Sequence, residues 1–120
     1  MTVMAWGAMF HEAATAIEQA PELDAELIDL RTLWPLDIDA IVASVRKTGR
    51  CAIVQEAPRT CGFAAEIATL VQERCFPYLQ APTSRITGWD LPFPYTLEND
   101  YLPLAPRILQ KLRQLAAYEV

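Results

Sequence analysis

The sequence predicts an α/β domain in three layers, α/β/α, around a mainly parallel four-stranded sheet. Three observations carry that expectation. Short apolar runs alternate with longer segments in which apolar residues recur at i, i+3, i+4 and i+7. The short runs are nearly all apolar rather than alternating, as strands covered on both faces require. Nine prolines against four glycines mark the boundaries between these segments.

Thr2 to Trp6 reads as a buried strand, and Gly7 opens a helix to about Ala20 with Met9, Ala13, Ala16, Ile17 and Ala20 on one face. Pro21 ends it, and Ala25 to Leu30 is the next strand. After a loop over Arg31 to Leu36, Asp37 can cap a helix striped by Ile38, Ile41, Val42 and Val45. Arg46 and Lys47 complement its dipole in the last turn, and Gly49 suits the position just beyond the helix. Cys51 to Gln55 is nearly all apolar and reads as central. Pro58 to Gly62 is a turn, and Phe63 to about Cys75 is a helix with Ala64, Ile67, Ala68, Val71 and Cys75 inward. Thr83 to Thr87 reads as a weaker strand nearer an edge, Gly88 to Asn99 has no period, and Pro106 to about Ala117 closes the chain as a helix. Right-handed crossovers would fix most of the topology.

The chain has 120 residues, 52% of them hydrophobic and 21% charged, enough for one domain with a real core. Ten basic against fifteen acidic residues leave a net charge of −5, the wrong sign for a nucleic-acid groove. One histidine excludes a multi-histidine metal site. Cys51, Cys61 and Cys75 are an odd set without a CxxC pair, which fits a reducing, cytoplasmic compartment better than a disulfide framework. No charged leader with an apolar run is visible, and no apolar stretch reaches the roughly 18 residues of a membrane span.

Each candidate site has a simpler counterpart. Gly7 follows a strand, but the turn WGAMFHEA lacks the GxGxxG that a phosphate cradle needs. His11 is a possible general acid or base, yet it lies off the apolar stripe with no nucleophile motif beside it. Cys61 precedes a helix, where the dipole favours a thiolate, but no base is near in sequence. Glu56 and Glu66 flank the Pro58–Gly62 turn as a potential acid/base or cation pair; Glu66 also suits the first turn of its helix without any chemistry. The ribbon Gly88-Trp89-Asp90-Leu91-Pro92-Phe93-Pro94-Tyr95 is the most distinctive stretch, fit either to cover the domain's own core or to form an interface.

Several runs taken together resemble one family. They are Asp29 to Asp37 (DLRTLWPLD), Ser44 to Arg50 (SVRKTGR), Gln55 to Ile67 (QEAPRTCGFAAEI) and Gly88 to Pro94 (GWDLPFP). In this order they resemble the C-terminal, transketolase-like domain of the β subunit of thiamine-diphosphate-dependent 2-oxo acid dehydrogenases, the E1 components. The branched-chain (2-oxoisovalerate) type is the most similar, with the pyruvate and acetoin types close. The resemblance implies an α2β2 parent that decarboxylates a 2-oxo acid on thiamine diphosphate and Mg and acylates the lipoyl group of the E2 acyltransferase. It implies an assembly domain, 1–120, that is a piece of a longer β subunit and lacks the strand with which the family's domain begins, so that the Ala25 to Leu30 strand is expected to present an uncapped edge. By the same resemblance this piece holds no catalytic residue, cofactor or metal. Its implied partners are the E1 α subunit, a second β subunit and the peripheral-subunit-binding domain of E2; nucleic acid and membrane are not among them. The compartment is the cytoplasm, or the mitochondrial matrix in a eukaryote. Two positions carry over as E2 contacts: Gln80, in a Tyr-Leu-acid-Ala-Pro turn where the family has an acid, and Val120, if its carboxylate is the natural end. Gln55 and Cys61 stand where branched-chain members often have His and Gly. Two rivals remain, a stand-alone interaction module of the same fold and a small enzyme using Cys61 with Glu56 or Glu66.

Overall fold

Four parallel strands lie in the order β2-β1-β3-β4 in the computed structural model, which describes residues 1–119. They are β1 (Thr2–Ala5), β2 (Glu26–Asp29), β3 (Cys51–Pro58) and β4 (Ser84–Gly88). Parallel pairing is forced by the connections, since a helix of about three turns returns the chain to the same end of the sheet. The helices are α1 (Ala8–Glu18), α2 (Ile38–Thr48), α3 (Phe63–Cys75), a short α4 (Glu98–Tyr101) and α5 (Ala105–Ala116). The central position expected of the Cys51 run and the edge positions of the Ala25 and Thr83 runs are those observed.

Alternation along the buried strands makes two cores. Val3, Ala5, Ala52, Val54 and Ile86 face Met9, Ala13 and Ala16 of α1 and Ile108, Leu112 and Leu115 of α5. Met4, Cys51 and Ile53 face Ile41 and Val45 of α2 and Ala64, Ile67 and Val71 of α3. Helices thus cover both faces, giving the three layers. Asp37 caps α2 as expected: its carboxylate accepts from the Ala40 amide at 3.1 Å. Gly49 ends α2 in the left-handed region at φ 72°, which allows its amide to reach the Val45 carbonyl at 2.8 Å. The N-terminus of α5 takes its cap from a distant side chain, the Glu12 carboxylate of α1, which accepts from the Ala105 amide at 2.8 Å.

Several boundaries differ from the sequence expectations. β3 runs on to Pro58, where a turn was expected to begin, and its pairing with β4 slips between Val54 and Pro58. The stretch without a period, Gly88 to Asn99, holds a 3-10 turn at Tyr95–Leu97 and leads into α4. Pro21–Leu23 and Phe76–Tyr78 form two further 3-10 turns. Ser44, outside the expected stripe, is buried because its hydroxyl lies 2.6 Å from Thr2 Oγ1 of β1 and donates to Glu26 Oε2 of β2 at 2.9 Å. Among the described residues β2 pairs only with β1, and its charged Glu26 and Asp29 discourage further strands from joining that edge.

Ile53 sits on an interior strand with no exposure, between α2 and α3. Ile53→Ala is expected to cost about 2–5 kcal/mol through lost burial and a residual cavity, read as a lower urea midpoint with an unchanged slope.

Candidate interaction site

Strand order reverses between β1 and β3, so their carboxyl ends flank the crevice where open α/β sheets bind ligands. Here the crevice is lined by rings. Trp6, just after β1, packs edge-on against Phe63, the first residue of α3, with ring centroids 6.2 Å apart and planes at 86°. No glycine cradle for a phosphate group is present, and no group of three or more His, Cys, Asp or Glu residues is placed to hold a metal among the described residues.

The rim beside this crevice is held by Gln55, which is only 1% exposed. Its Oε1 accepts from the Ala64 amide at 2.8 Å, and its Nε2 donates to the Pro58 carbonyl at 2.9 Å. One amide therefore ties the end of β3 to the free N–H groups at the start of α3. The fit also fixes Gly62: a Cβ there would stand 2.0 Å from Gln55 Nε2 and 2.5 Å from the Pro58 oxygen. Cys61 next to it adopts φ 59°, a region where glycine is at ease and a side chain is strained.

A second tie joins this turn to the aromatic ribbon. Asp90 accepts from the Thr60 amide at 2.8 Å and from the Thr60 hydroxyl at 2.6 Å. These bonds, led by the hydroxyl and aided by the Arg59 charge, hold the Asp90 carboxyl below its ordinary value. The ribbon covers the core and also faces outward. Tyr101 is buried and meets Phe93 edge-on at 5.2 Å, and the Trp89 indole donates to the Asp100 carbonyl at 3.0 Å. Trp89 remains 53% exposed and Tyr95 88%.

The other sequence candidates separate. Cys61 and Glu66 line one hollow of about 530 Å³ with Leu33, Trp34, Leu36 and Phe63, whereas Glu56 lies outside that lining. Trp34 there is 89% exposed. His11 is exposed on α1, edge-on to the Phe10 ring at 5.6 Å, far from that lining in the fold. Cys51 and Cys75 are buried, and burial raises the Cys51 thiol to about 12, which makes it inert at neutral pH.

Gln80 lies elsewhere, in a polar hollow of about 770 Å³ at the amino ends of the strands. Its amide donates to the Gly49 carbonyl at 2.8 Å, and its side chain lies over the Gly49 Cα. Glu22, Asp24, Glu26, Lys47 and Arg50 share the lining. Glu26 pairs with Lys47 at 2.8 Å, and the hydrogen bonds from Lys47 and Ser44 lower its carboxyl from the usual value. The acids Glu22 and Asp24 beside Gln80 went unnoticed in the sequence because they stand more than fifty positions away. Val120 lies outside the described residues.

These features define a doubly wound domain whose rim polar groups hold its own loops and whose outer surface carries exposed rings. The chain belongs to the family described as transketolase, C-terminal domain, whose model matches residues 1–108. It is 55% identical over 108 residues to the 2-oxoisovalerate dehydrogenase subunit beta of Pseudomonas aeruginosa, covering 90% of this chain and 31% of that protein. It is 42% identical over 121 residues to the mitochondrial 2-oxoisovalerate dehydrogenase subunit beta of Dictyostelium discoideum, covering 98% of this chain and 33% of that protein. It is also 42% identical over 120 residues to the pyruvate dehydrogenase E1 component subunit beta of Leifsonia xyli subsp. xyli, covering 98% and 36%. The chain thus spans about a third of the length of these curated relatives. Among solved structures, a split gene transketolase, described as an inactive beta4 tetramer, matches the fold with a TM-score of 0.83 at 21% identity, over 99% of this chain and 39% of that one.

The Thr60–Asp90 clasp has a pH signature. Because folding lowers the Asp90 pKa, its contribution is present above the ordinary value of 3.8 and is lost as pH falls through the lower folded value. Urea midpoints should place Asp90→Asn below the unaltered protein at neutral pH, with the gap closing in acid.

Proposed function

We propose that the chain is the C-terminal domain of the E1 β subunit of a branched-chain 2-oxo acid dehydrogenase, and that it serves assembly and E2 docking rather than chemistry. The observation that carries the branched-chain reading is the 55% identity to the Pseudomonas aeruginosa 2-oxoisovalerate β subunit. Two further 2-oxoisovalerate β subunits stand at 42% and 45%, and three pyruvate-type β subunits at 37–42%. A pyruvate-type parent is the alternative, supported by the Leifsonia match over 98% of the chain.

In this reading the domain is one part of a longer subunit. The parent decarboxylates a 2-oxo acid, and thiamine diphosphate with Mg supplies the electron sink for that step. In this reading the cofactor is held by the other parts of the parent; at the β1–β3 end of this chain Trp6 packs on Phe63 and there is no glycine cradle among the described residues. Its own contribution is surface: exposed Trp34 and the apolar hollow beside it suit a subunit contact with E1 α or a second β chain. The compartment that follows is the cytoplasm, or the matrix in a eukaryote. No helix among the described residues is long and apolar enough to cross a membrane.

Kinetics of the full β subunit assembled with its α partner test the substrate class. Turnover of 3-methyl-2-oxobutanoate should exceed that of pyruvate by about tenfold or more in kcat/KM, since each methylene in an apolar pocket is worth that much. The reverse order would assign the pyruvate type.

Docking of E2 at the Gln80 turn is the finer part of this proposal. Gln80 is neutral; in the same hollow Glu22 is paired with Arg113 at 3.3 Å, and Asp24 offers charge to a basic partner. Gln80→Glu in the assembled E1 should tighten binding of the E2 peripheral domain several-fold and steepen its salt dependence. Unchanged affinity and salt slope would remove this turn from the contact.

A further inference from the structure

A hollow of about 310 Å³ opens at the edge of the sheet between β4, the turn after β3 and α5. Four cations line it: Arg59, Arg85, Arg107 and Lys111. This is a local excess of positive charge on a chain whose net charge is −5. None of the three ion pairs among the described residues involves any of the four. The one carboxylate in the lining, Asp90, is already held through both oxygens by Thr60.

The three guanidinium groups are fixed in advance. Arg59 Nη1 donates to the Arg85 carbonyl at 3.0 Å, and Arg85 Nη1 donates to the Arg59 carbonyl at 3.2 Å. Arg107 donates to the Thr87 carbonyl and lies 4.7 Å above the Trp89 ring. Each uses part of a five-donor fork on backbone and keeps other donors. Arg107 Nη1 is buried without a hydrogen-bond partner. Ordering cost is the usual obstacle to binding at a surface arginine, and here the fold has already met it.

From this geometry we infer that the hollow is a binding site for a phosphoryl oxyanion, either free phosphate or the phosphate of a monoester. Four cations in one lining exceed what a carboxylate takes, since one arginine fork satisfies a planar carboxylate. A tetrahedral dianion accepts from several directions at once and matches forks that approach from β4, the turn and α5. Lys111, which donates to Gln114 Oε1 at 3.1 Å, adds a fourth point charge to the lining, and the exposed part of Trp89 offers an apolar edge to the rest of an ester. The site is separate from the Gln80 hollow and independent of the substrate of the parent enzyme.

Calorimetric titration of the full chain with inorganic phosphate, at low ionic strength and pH 7.5, tests the assignment. Saturable binding of one phosphate with a Kd of about 1 mM or tighter is expected, and acetate should bind at least about tenfold more weakly. Amide shifts should concentrate at Gly88 and Trp89. Lys111 is exposed, so Lys111→Gln keeps the fold and should weaken phosphate at least about threefold. Arg113→Gln makes the same charge change on the same helix outside the hollow, and should leave the affinity unaltered. Arg107→Lys keeps the charge and loses the fork, and should also weaken binding. Phenyl phosphate binding more tightly than phosphate would identify a monoester as the source, and equal affinity would identify free phosphate. Absence of saturable phosphate binding, or equal weakening by Arg113→Gln and Lys111→Gln, would overturn the site.

Discussion

The carboxamide of Gln55 is the constraint on which the rim depends. A parallel strand that feeds a helix leaves unpaired carbonyls at its end and unpaired amides at the start of the helix. Gln55 meets both needs with one side chain, accepting from Ala64 and donating to Pro58. Its position requires Gly62 to lack a side chain and accompanies the left-handed Cys61. The turn so formed presents Thr60 to Asp90, which in turn anchors the start of the aromatic ribbon. Removing the amide would leave buried polar groups unmatched, at a cost of about 1–3 kcal/mol each.

The layers were legible in the sequence because they follow from local periodicity. Cys51 to Gln55 reads as central because it is apolar on both faces, and both cores use it. What escaped notice depends on partners distant in the chain. Ser44 is buried through Thr2, 42 residues away, and α5 is capped by Glu12, 93 residues from Ala105. The order in 88–101 has the same origin: buried Tyr101 and the Trp89–Asp100 bond hold that segment, and neither leaves a repeating pattern. The role of Gln55 was likewise hidden, since a polar residue at a strand end gives no sign of the backbone groups of Ala57, Pro58 and Ala64 that it reaches.

The polar residues that first suggested chemistry have structural or solvent-facing positions. His11 is exposed on α1, Glu66 stands in the first turn of α3, and Cys61 is exposed within a strained turn. At the carboxyl ends of β1 and β3, Trp6 and Phe63 pack edge-on to each other. The outward-facing features are exposed rings at one end, acids around Gln80 at the other, and an arginine hollow at the β4 edge. Membership in the transketolase C-terminal family places these surfaces on a scaffold shared by larger proteins.

Hydrogen exchange of individual amides in Gln55→Leu tests most directly that one buried carboxamide holds the rim. Loss of protection is expected at Ala64, which donates to Gln55, and at Thr60, whose bond to Asp90 relies on the same turn. Val3 and Ile53, inside the sheet, should retain theirs relative to global stability. Unchanged protection at Ala64 and Thr60 would contradict the account, because the turn would then be held by something other than Gln55.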